Sequence, residues 1–171
     1  MTTPDPRSAD LPDRLPPDLP DRPPPDLPDR PPPDPQLLAE RCAQAMLSAD
    51  QASAWLGIRL ISVGPGLAEL AMTVTEQMLN GHRIGHGGFV FSLADSAFAV
   101  ACNSYNRSTV AAGCDIDFTA PVRGGDELTA VAVERYRGGR SGLYDVSVRR
   151  ADGTVVAEMR GRAREIPGSL V

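Results

Sequence analysis

A single carboxylate sits inside an apolar stretch, and a run of glycines and histidines lies just ahead of it. The segment Asn80-Gly-His-Arg-Ile-Gly-His-Gly-Gly88 leads into Phe89–Cys102, where eleven of fourteen residues are apolar. The exceptions are Ser92, Asp95 and Ser96. A carboxylate in such a setting carries a large desolvation cost unless it is paired, hydrogen-bonded or neutralised. The sequence offers Asp95 no cation within a helical turn or two. Acids perturbed in this way collect at catalytic sites; the plainer reading is a carboxylate that braces a neighbouring backbone segment. Gly85, Gly87 and Gly88 deny a continuous helix ahead of Phe89, so Gly87-Gly88 should lie at its N-terminus. Free N–H groups at a helix start polarise a carbonyl or bind an anion, and without a Cβ a ligand can come close. A tight entry turn is the other use of the same glycines.

Other chemistries fit less well. His82 and His86 have the i, i+4 spacing of a helical metal pair, but the intervening glycines break the helix and no third ligand adjoins, so no metal site is expected. The glycines are followed by no Lys-Ser/Thr, which excludes a phosphate-binding P-loop, and Val90 stands where a dinucleotide fingerprint needs its third glycine. Ser92 and Ser96 lack the Gly-x-Ser-x-Gly setting of a serine nucleophile. A second cluster of interest is Arg135-Tyr-Arg-Gly-Gly-Arg-Ser-Gly142, three guanidiniums around a flexible turn. Guanidinium pairs well with phosphate; a solvated hairpin with charged strand ends is the alternative.

The elements that must position these residues can be read from spacing. Asp34 is a good N-cap and Pro35 suits the first helical position. Leu38, Cys42, Ala45, Met46 and Ala49 then recur at helical spacing, predicting a helix over 35–49. Ala54–Leu56 reads as a short helical turn stopped by Gly57. Residues 58–63 and 68–74 read as strands joined at Gly64-Pro65-Gly66. Phe89–Cys102 is apolar on all sides, which predicts a buried helix covered on every face. Four more strands are expected over 109–119, 128–137, 143–150 and 154–165, with hairpin signals at Gly138-Gly139 and Asp152-Gly153. Arg160, Arg162 and Arg164 alternate onto one face of the last strand, which reads as a solvent face. Hairpin-linked strands around one interior helix predict an α+β fold with a curved antiparallel sheet.

Composition narrows the function further. Fourteen of the 17 prolines lie in the first 35 residues, which also carry eight Asp and four Arg. Three copies of an eight-residue repeat begin at Asp10, Asp18 and Asp26. Proline at this density suits neither helix nor sheet, so residues 1–34 read as a disordered or polyproline-like extension, with docking to a proline-reading module as its functional alternative. Residues 35–171 then form one domain. That body is close to neutral, and all 17 cations of the chain are Arg, a poor surface for nucleic acid. No apolar run reaches membrane-spanning length, and an acidic proline-rich start is not a signal peptide. Cys42, Cys102 and Cys114 are odd in number and far apart, which suits a reducing cytoplasm.

Asn80-Gly-His, His86-Gly-Gly and Phe91-Ser-Leu-Ala-Asp95-Ser-Ala-Phe together resemble the PaaI-type (phenylacetic acid degradation) thioesterases of the hotdog-fold superfamily. Ala101-Cys-Asn-Ser104, Cys114-Asp-Ile-Asp-Phe118 and Gly142-Leu-Tyr-Asp-Val146 extend the likeness over roughly residues 36–166, leaving out the tail. The resemblance implies a long central helix wrapped by a curved antiparallel sheet, paired into homodimers and homotetramers. It implies hydrolysis of acyl-CoA thioesters of phenylacetyl or hydroxyphenylacetyl type to free acid and CoA, with no cofactor beyond the substrate's own CoA. It places the catalytic acid on Asp95 and the carbonyl-polarising amide at Gly87 or Gly88. It also puts Asn80 and His86 beside the thioester, although an Asx-turn and a helix cap are equally open for those two. Arg137, Arg140, Ser141 and Gly142 are the residues expected near the CoA nucleotide.

A hydratase or dehydratase of the same fold is one alternative, yet that chemistry usually wants a His base where this helix carries Asp. A non-catalytic acyl-CoA binder is another, though binding an uncharged acyl group gains nothing from a buried acid. Distance adds one more expectation. Gly87 and Asp95 are eight residues apart, roughly 12 Å along a helix, while an amide donor and an attacking group must each lie about 3 Å from one carbonyl. One chain cannot meet both demands. Two antiparallel helices can, so the sequence predicts active sites shared within a dimer.

Overall fold

The computed structural model describes residues 34–171. Apart from Asp34, the extended tail expected over 1–34 lies outside them. Helix α1 spans Pro35–Ala49, and its entry is the expected one: the Asp34 carboxylate accepts the Gln36 amide at 2.9 Å, with proline in the first turn. Its buried face is narrower than the spacing suggested. Ala39, Cys42 and Ala43 face inward, whereas Ala49 is exposed. Small side chains let α1 lie close against its neighbours. Helix α2, Gln51–Leu56, starts a turn earlier than Ala54 because Asp50 caps it, accepting the amides of Ala52 and Ser53 at 3.0 Å each. It stops at Gly57, whose φ of 69° is the left-handed conformation that ends helices.

Six strands follow the expected segments, with ends moved by one or two residues: β1 Arg59–Gly64, β2 Leu67–Thr73, β3 Thr109–Phe118, β4 Glu127–Gly138, β5 Ser141–Arg150 and β6 Val155–Glu165. They form one sheet in the order β1-β2-β4-β5-β6-β3, antiparallel at each pairing. Register shifts interrupt four of the five pairings, at Leu60/Ser62, Ala111/Gly113, Glu134/Tyr136 and Val148/Arg149. Such irregularities bend a strand and raise its twist, which helps this sheet wrap a helix.

The wrapped element is α3, Gly87–Asn103. Val90, Leu93, Ala94, Ala97, Phe98 and Ala101 are at most 3 % exposed and pack with Leu70, Met72, Leu128, Tyr144, Val146 and Val148. One expectation needs correction. Residues Ser92, Asp95, Ser96 and Ala99, spaced three and four apart along α3, are only half-buried. The sheet covers one side of the helix and α1 part of another, so a stripe containing the acid is left open. The far end of α3 is sewn to β3 by Asn103, whose side chain donates to the Ala99 and Thr109 carbonyls and accepts the Thr109 amide, each at 2.9 Å. The buried Ser104 hydroxyl likewise accepts the Gly66 amide at 2.8 Å. Among the described residues no helix is long and apolar enough to cross a membrane.

Packing of α3 on the sheet depends on Gly161 in β6. A Cβ there would lie 2.9 Å from the Phe98 ring, which already meets Tyr144 edge-on with centroids 5.4 Å apart. Both rings are buried and have nowhere to move. Gly161→Ala is therefore expected to destabilise the fold by about 1–3 kcal/mol, measured as a lower midpoint of thermal or urea unfolding. An unchanged midpoint would show that the helix can slide on its sheet.

Candidate active site

The approach to α3 is a tethered loop. Glu76–Met78 form a single 3-10 turn that spacing did not reveal. Leu79 and Gly85 pair as an isolated bridge, the Asn80 amide donates to the Ile84 carbonyl at 2.8 Å, and the His86 amide donates to the Met78 carbonyl at 2.8 Å. Inside this loop the Asn80 side-chain oxygen accepts the His82 amide at 2.9 Å and the Ile84 amide at 3.4 Å. Asn80 thus forms an Asx-turn, one of its two expected uses. Its side-chain NH2 donates to no group among the described residues and lines a cavity.

His86 is the N-cap of α3, again one of two expected uses: its Nδ1 accepts the Gly88 amide at 3.0 Å. A neutral imidazole that accepts through Nδ1 carries its hydrogen on Nε2. The Phe89 amide donates to the His86 carbonyl at 3.0 Å. Gly88 and Phe89 are thereby satisfied locally. Of the two glycine amides expected to polarise a carbonyl, that of Gly87 has no acceptor among the described residues. A Cβ on Gly87 would stand 2.9 Å from the Phe118 ring, so glycine is what allows Phe118 to roof the helix start. Asn80, Ile84, Gly87, Phe118, Pro121 and Val122 are among the residues around a cavity of about 420 Å³.

Asp95 lies two turns further along. Its carboxylate has no hydrogen bond or ion pair among the described residues, so the bracing role has no partner there. Burial raises its pKa above the usual carboxylate value. It opens onto a second cavity, a groove between α1 and α3 of about 340 Å³. Burial and the Asp95 charge both push up the nearby thiols. Cys102 reaches about 12 and Cys114 moves in the same direction, which leaves neither as a nucleophile at neutral pH. Gly87 and Asp95 stay on one helix, eight residues apart, as spacing required.

The arginine cluster is split. Arg137, Arg140, Ser141 and Gly142 do come together around a shallow depression beside Cys102 and Thr109. Arg137 stacks on the Tyr105 ring at 3.9 Å, and Arg140 donates to the Glu165 carbonyl at 2.9 and 3.2 Å. Arg135 does not join them. The register shift between Glu134 and Tyr136 turns it away, and with Arg160 it flanks Asp145 at 2.9 and 2.8 Å. Arg160, Arg162 and Arg164 are exposed, on a solvent face as expected, with Arg162 paired to Asp115. Two contacts escaped sequence reading: Phe118 over Gly87, and a bond of 3.1 Å between the Ser53 and Ser96 hydroxyls. Both join residues far apart in the chain, and no local spacing signals them.

Comparison with known proteins gives these features a lineage. The model of the Thioesterase superfamily matches residues 82–157. The acyl-coenzyme A thioesterase PaaI of Escherichia coli K12 is 47% identical over 128 residues, which span 75% of this chain and 91% of that protein. The solved structure of the E. coli PaaI protein, from the phenylacetic acid degradation operon, superposes with a TM-score of 0.78 at 45% identity, covering 80% of this chain and 99% of that one. A point mutant of the phenylacetic acid degradation protein PaaI of Thermus thermophilus gives a TM-score of 0.66 at 35% identity, over 68% of this chain and 100% of that one. A buried helix in an antiparallel sheet, an acid mid-helix, a glycine amide at its start and this degree of identity lead to one conclusion: the chain belongs to the PaaI-type thioesterases, thioester hydrolases of the hotdog-fold superfamily.

Proposed function

We propose that this chain hydrolyses CoA thioesters of aromatic acids, of phenylacetyl or hydroxyphenylacetyl type, to the free acid and CoA, at sites shared by two antiparallel copies of α3. The observation that carries the reading is a pair of unsatisfied groups on one helix: the desolvated Asp95 carboxylate and the Gly87 amide at the helix start. The family and the E. coli relative, named an acyl-coenzyme A thioesterase, support the substrate.

In this scheme the thioester carbonyl accepts from Gly87 N–H of one copy, where the helix dipole stabilises the developing oxyanion. The Asn80 side-chain NH2 and the His86 Nε2–H flank that position. Asp95 of the other copy either attacks the carbonyl, forming an anhydride that water then opens, or takes a proton from water as it attacks. By the water route the tetrahedral intermediate collapses, the C–S bond breaks, and the proton held by Asp95 passes to the leaving thiolate. The guanidiniums of Arg137 and Arg140, with Ser141 and Gly142 at the turn, suit the phosphates of the CoA nucleotide. A homodimer is the least assembly this needs, and a homotetramer is two such pairs. The free thiols of Cys42, Cys102 and Cys114 accord with a cytoplasmic location.

Release of free thiol from a panel of acyl-CoA thioesters tests the activity and names the acyl group. Asp95→Asn should lower turnover by about 10²-fold or more; turnover within a few-fold of wild type would remove Asp95 from the chemistry. The acid limb of kcat/KM should sit above the pH at which an ordinary aspartate titrates, since the pKa of Asp95 is raised.

The same substitution has a stability signature. A carboxyl whose pKa is raised on folding is favoured in its neutral form, so its ionisation weakens the fold as pH climbs through the folded pKa. Asp95→Asn is expected to raise the unfolding midpoint at pH 7, with the gain vanishing on acidification. A midpoint that falls at pH 7 would mean that the carboxylate has a stabilising partner.

Subunit complementation tests the sharing. Gly87→Pro removes the amide at the first helical position, where the extended His86 before it suits proline. The Phe118 ring, 2.9 Å from the new Cβ but 53 % exposed, must turn aside, so the variant is first confirmed folded and dimeric. Each variant alone should be inactive. Random mixing of Asp95→Asn and Gly87→Pro chains should restore about a quarter of wild-type activity, since half the dimers are mixed and each has one intact site. Mixed dimers seen by native mass spectrometry but without activity would overturn the shared geometry.

A further inference from the structure

The groove beside Asp95 has walls of one kind and a floor of another. Met46, Leu47 and Ala49 of α1 face Ala99 and Val100 of α3 across it, while Asp50 and Ser96, together with the Asp95 carboxylate itself, supply its polar atoms. Its volume of about 340 Å³ falls in the range of small-molecule sites, about 300–1,000 Å³. The reacting carboxylate opens into it, so whatever is joined to the thioester carbonyl has this groove beside it.

The polar atoms are wired in one direction. Asp50 Oδ1 accepts the amides of Ala52 and Ser53, and Oδ2 accepts the Ser53 hydroxyl at 2.6 Å. The Ser53 hydroxyl is the main cause holding the Asp50 carboxyl below its usual range, so Asp50 is ionised and only accepts. A serine hydroxyl has one hydrogen, and that of Ser53 is committed to Asp50. The 3.1 Å contact between Ser53 Oγ and Ser96 Oγ must therefore use the hydrogen of Ser96. Ser53 is buried, at 3 % exposure, and has no other outlet. With its hydrogen turned to Ser53, Ser96 presents lone pairs alone to the groove.

We propose that this groove holds the ring of the acyl group and that Ser96 is a specificity residue, accepting a hydrogen bond from a ring hydroxyl and disfavouring a ring substituent that can only accept. The inference rests on the thioesterase reading above and adds to it which atom reads the ring and with what polarity. A phenolic O–H finds an acceptor there; a methoxy oxygen at the same place meets another lone pair.

The test compares kcat/KM for phenylacetyl-CoA and for the 2-, 3- and 4-isomers of hydroxyphenylacetyl-CoA and methoxyphenylacetyl-CoA, in wild type, Ser96→Ala and Ser53→Ala, each confirmed folded by circular dichroism. For the best isomer, wild type should favour hydroxy over methoxy by roughly tenfold, the scale of one neutral hydrogen bond. Ser96→Ala should bring the hydroxy-to-phenylacetyl ratio close to that of a ring with no partner. Ser53→Ala keeps the Ser96 oxygen but frees its hydrogen, so the methoxy ester should gain relative to the hydroxy ester. A general loss of packing would not shift the two esters in opposite directions. Ratios unchanged in both variants, as they would be if a second copy of the chain filled the groove, overturn the inference and leave the thioesterase reading standing. Hydrolysis of none of these esters by wild type would overturn both.

Discussion

The first turn of a helix has four N–H groups with no carbonyl behind them, and the proposed chemistry turns on how those of α3 are shared out. His86 satisfies two neighbours by itself, Gly88 through Nδ1 and Phe89 through its carbonyl. This leaves the Gly87 amide with no acceptor among the described residues and with the helix dipole behind it. The loop ahead of it is fixed just as firmly, by the Asn80 Asx-turn and the Leu79–Gly85 bridge. A donor held by backbone bonds on both sides does not reorganise as charge develops on a carbonyl, and preorganisation of that kind is what makes such a donor effective.

Asp95 is the opposite case, a group left without a partner among the described residues. Burial raises its pKa, and none of the described arginines pairs with it. Arginines are engaged elsewhere, with Asp145, Asp115, Glu165 and Glu134 on the outer sheet and its hairpins. A guanidinium beside Asp95 would stabilise the carboxylate and lower its basicity. On the proposed role, leaving it unpaired keeps it basic, at the cost of a less stable stretch of α3 than an apolar helix would give, a trade commonly found at functional sites.

What the sequence showed and what it hid divide along one line. Features set within a few residues were legible. The Asp34-Pro35 cap, the hairpin glycines and the apolar run of α3 each gave their element, and Asp95 stood out because its neighbours were apolar. Asn80 and His86 were open between a local structural role and a catalytic one. The structure places both in the structural role while leaving the Asn80 NH2 and the His86 Nε2 available. Features set by distant residues were not legible. The shift at Glu134/Tyr136 that separates Arg135 from Arg137 depends on how β4 pairs with β5. The roof of Phe118 over Gly87 and the Ser53–Ser96 bond link segments more than thirty residues apart. Full burial of α3 was expected from composition alone, and composition does not say which side the sheet leaves open.

That open side has a consequence for assembly. Strand β3 is an edge of the sheet, and most of its residues face solvent, including Val110 at 45 % and Phe118 at 53 % exposure. A long edge with exposed apolar side chains invites pairing with another chain. Phe118 belongs to this edge and also lies over Gly87, so a chain paired along β3 would arrive beside the helix start. The half-buried stripe of Ser92, Asp95, Ser96 and Ala99 is a second unfinished surface in the single chain. On the shared-site proposal, two-fold symmetry applied to a chain with both surfaces unfinished would bring each helix start toward the other chain's acid. The distance that separates Gly87 from Asp95 within a chain, roughly 12 Å for eight residues at about 1.5 Å each, then becomes the spacing between two equivalent sites. On the shared-site proposal, the length of helix that prevents one chain from acting alone also fixes where its partner must sit.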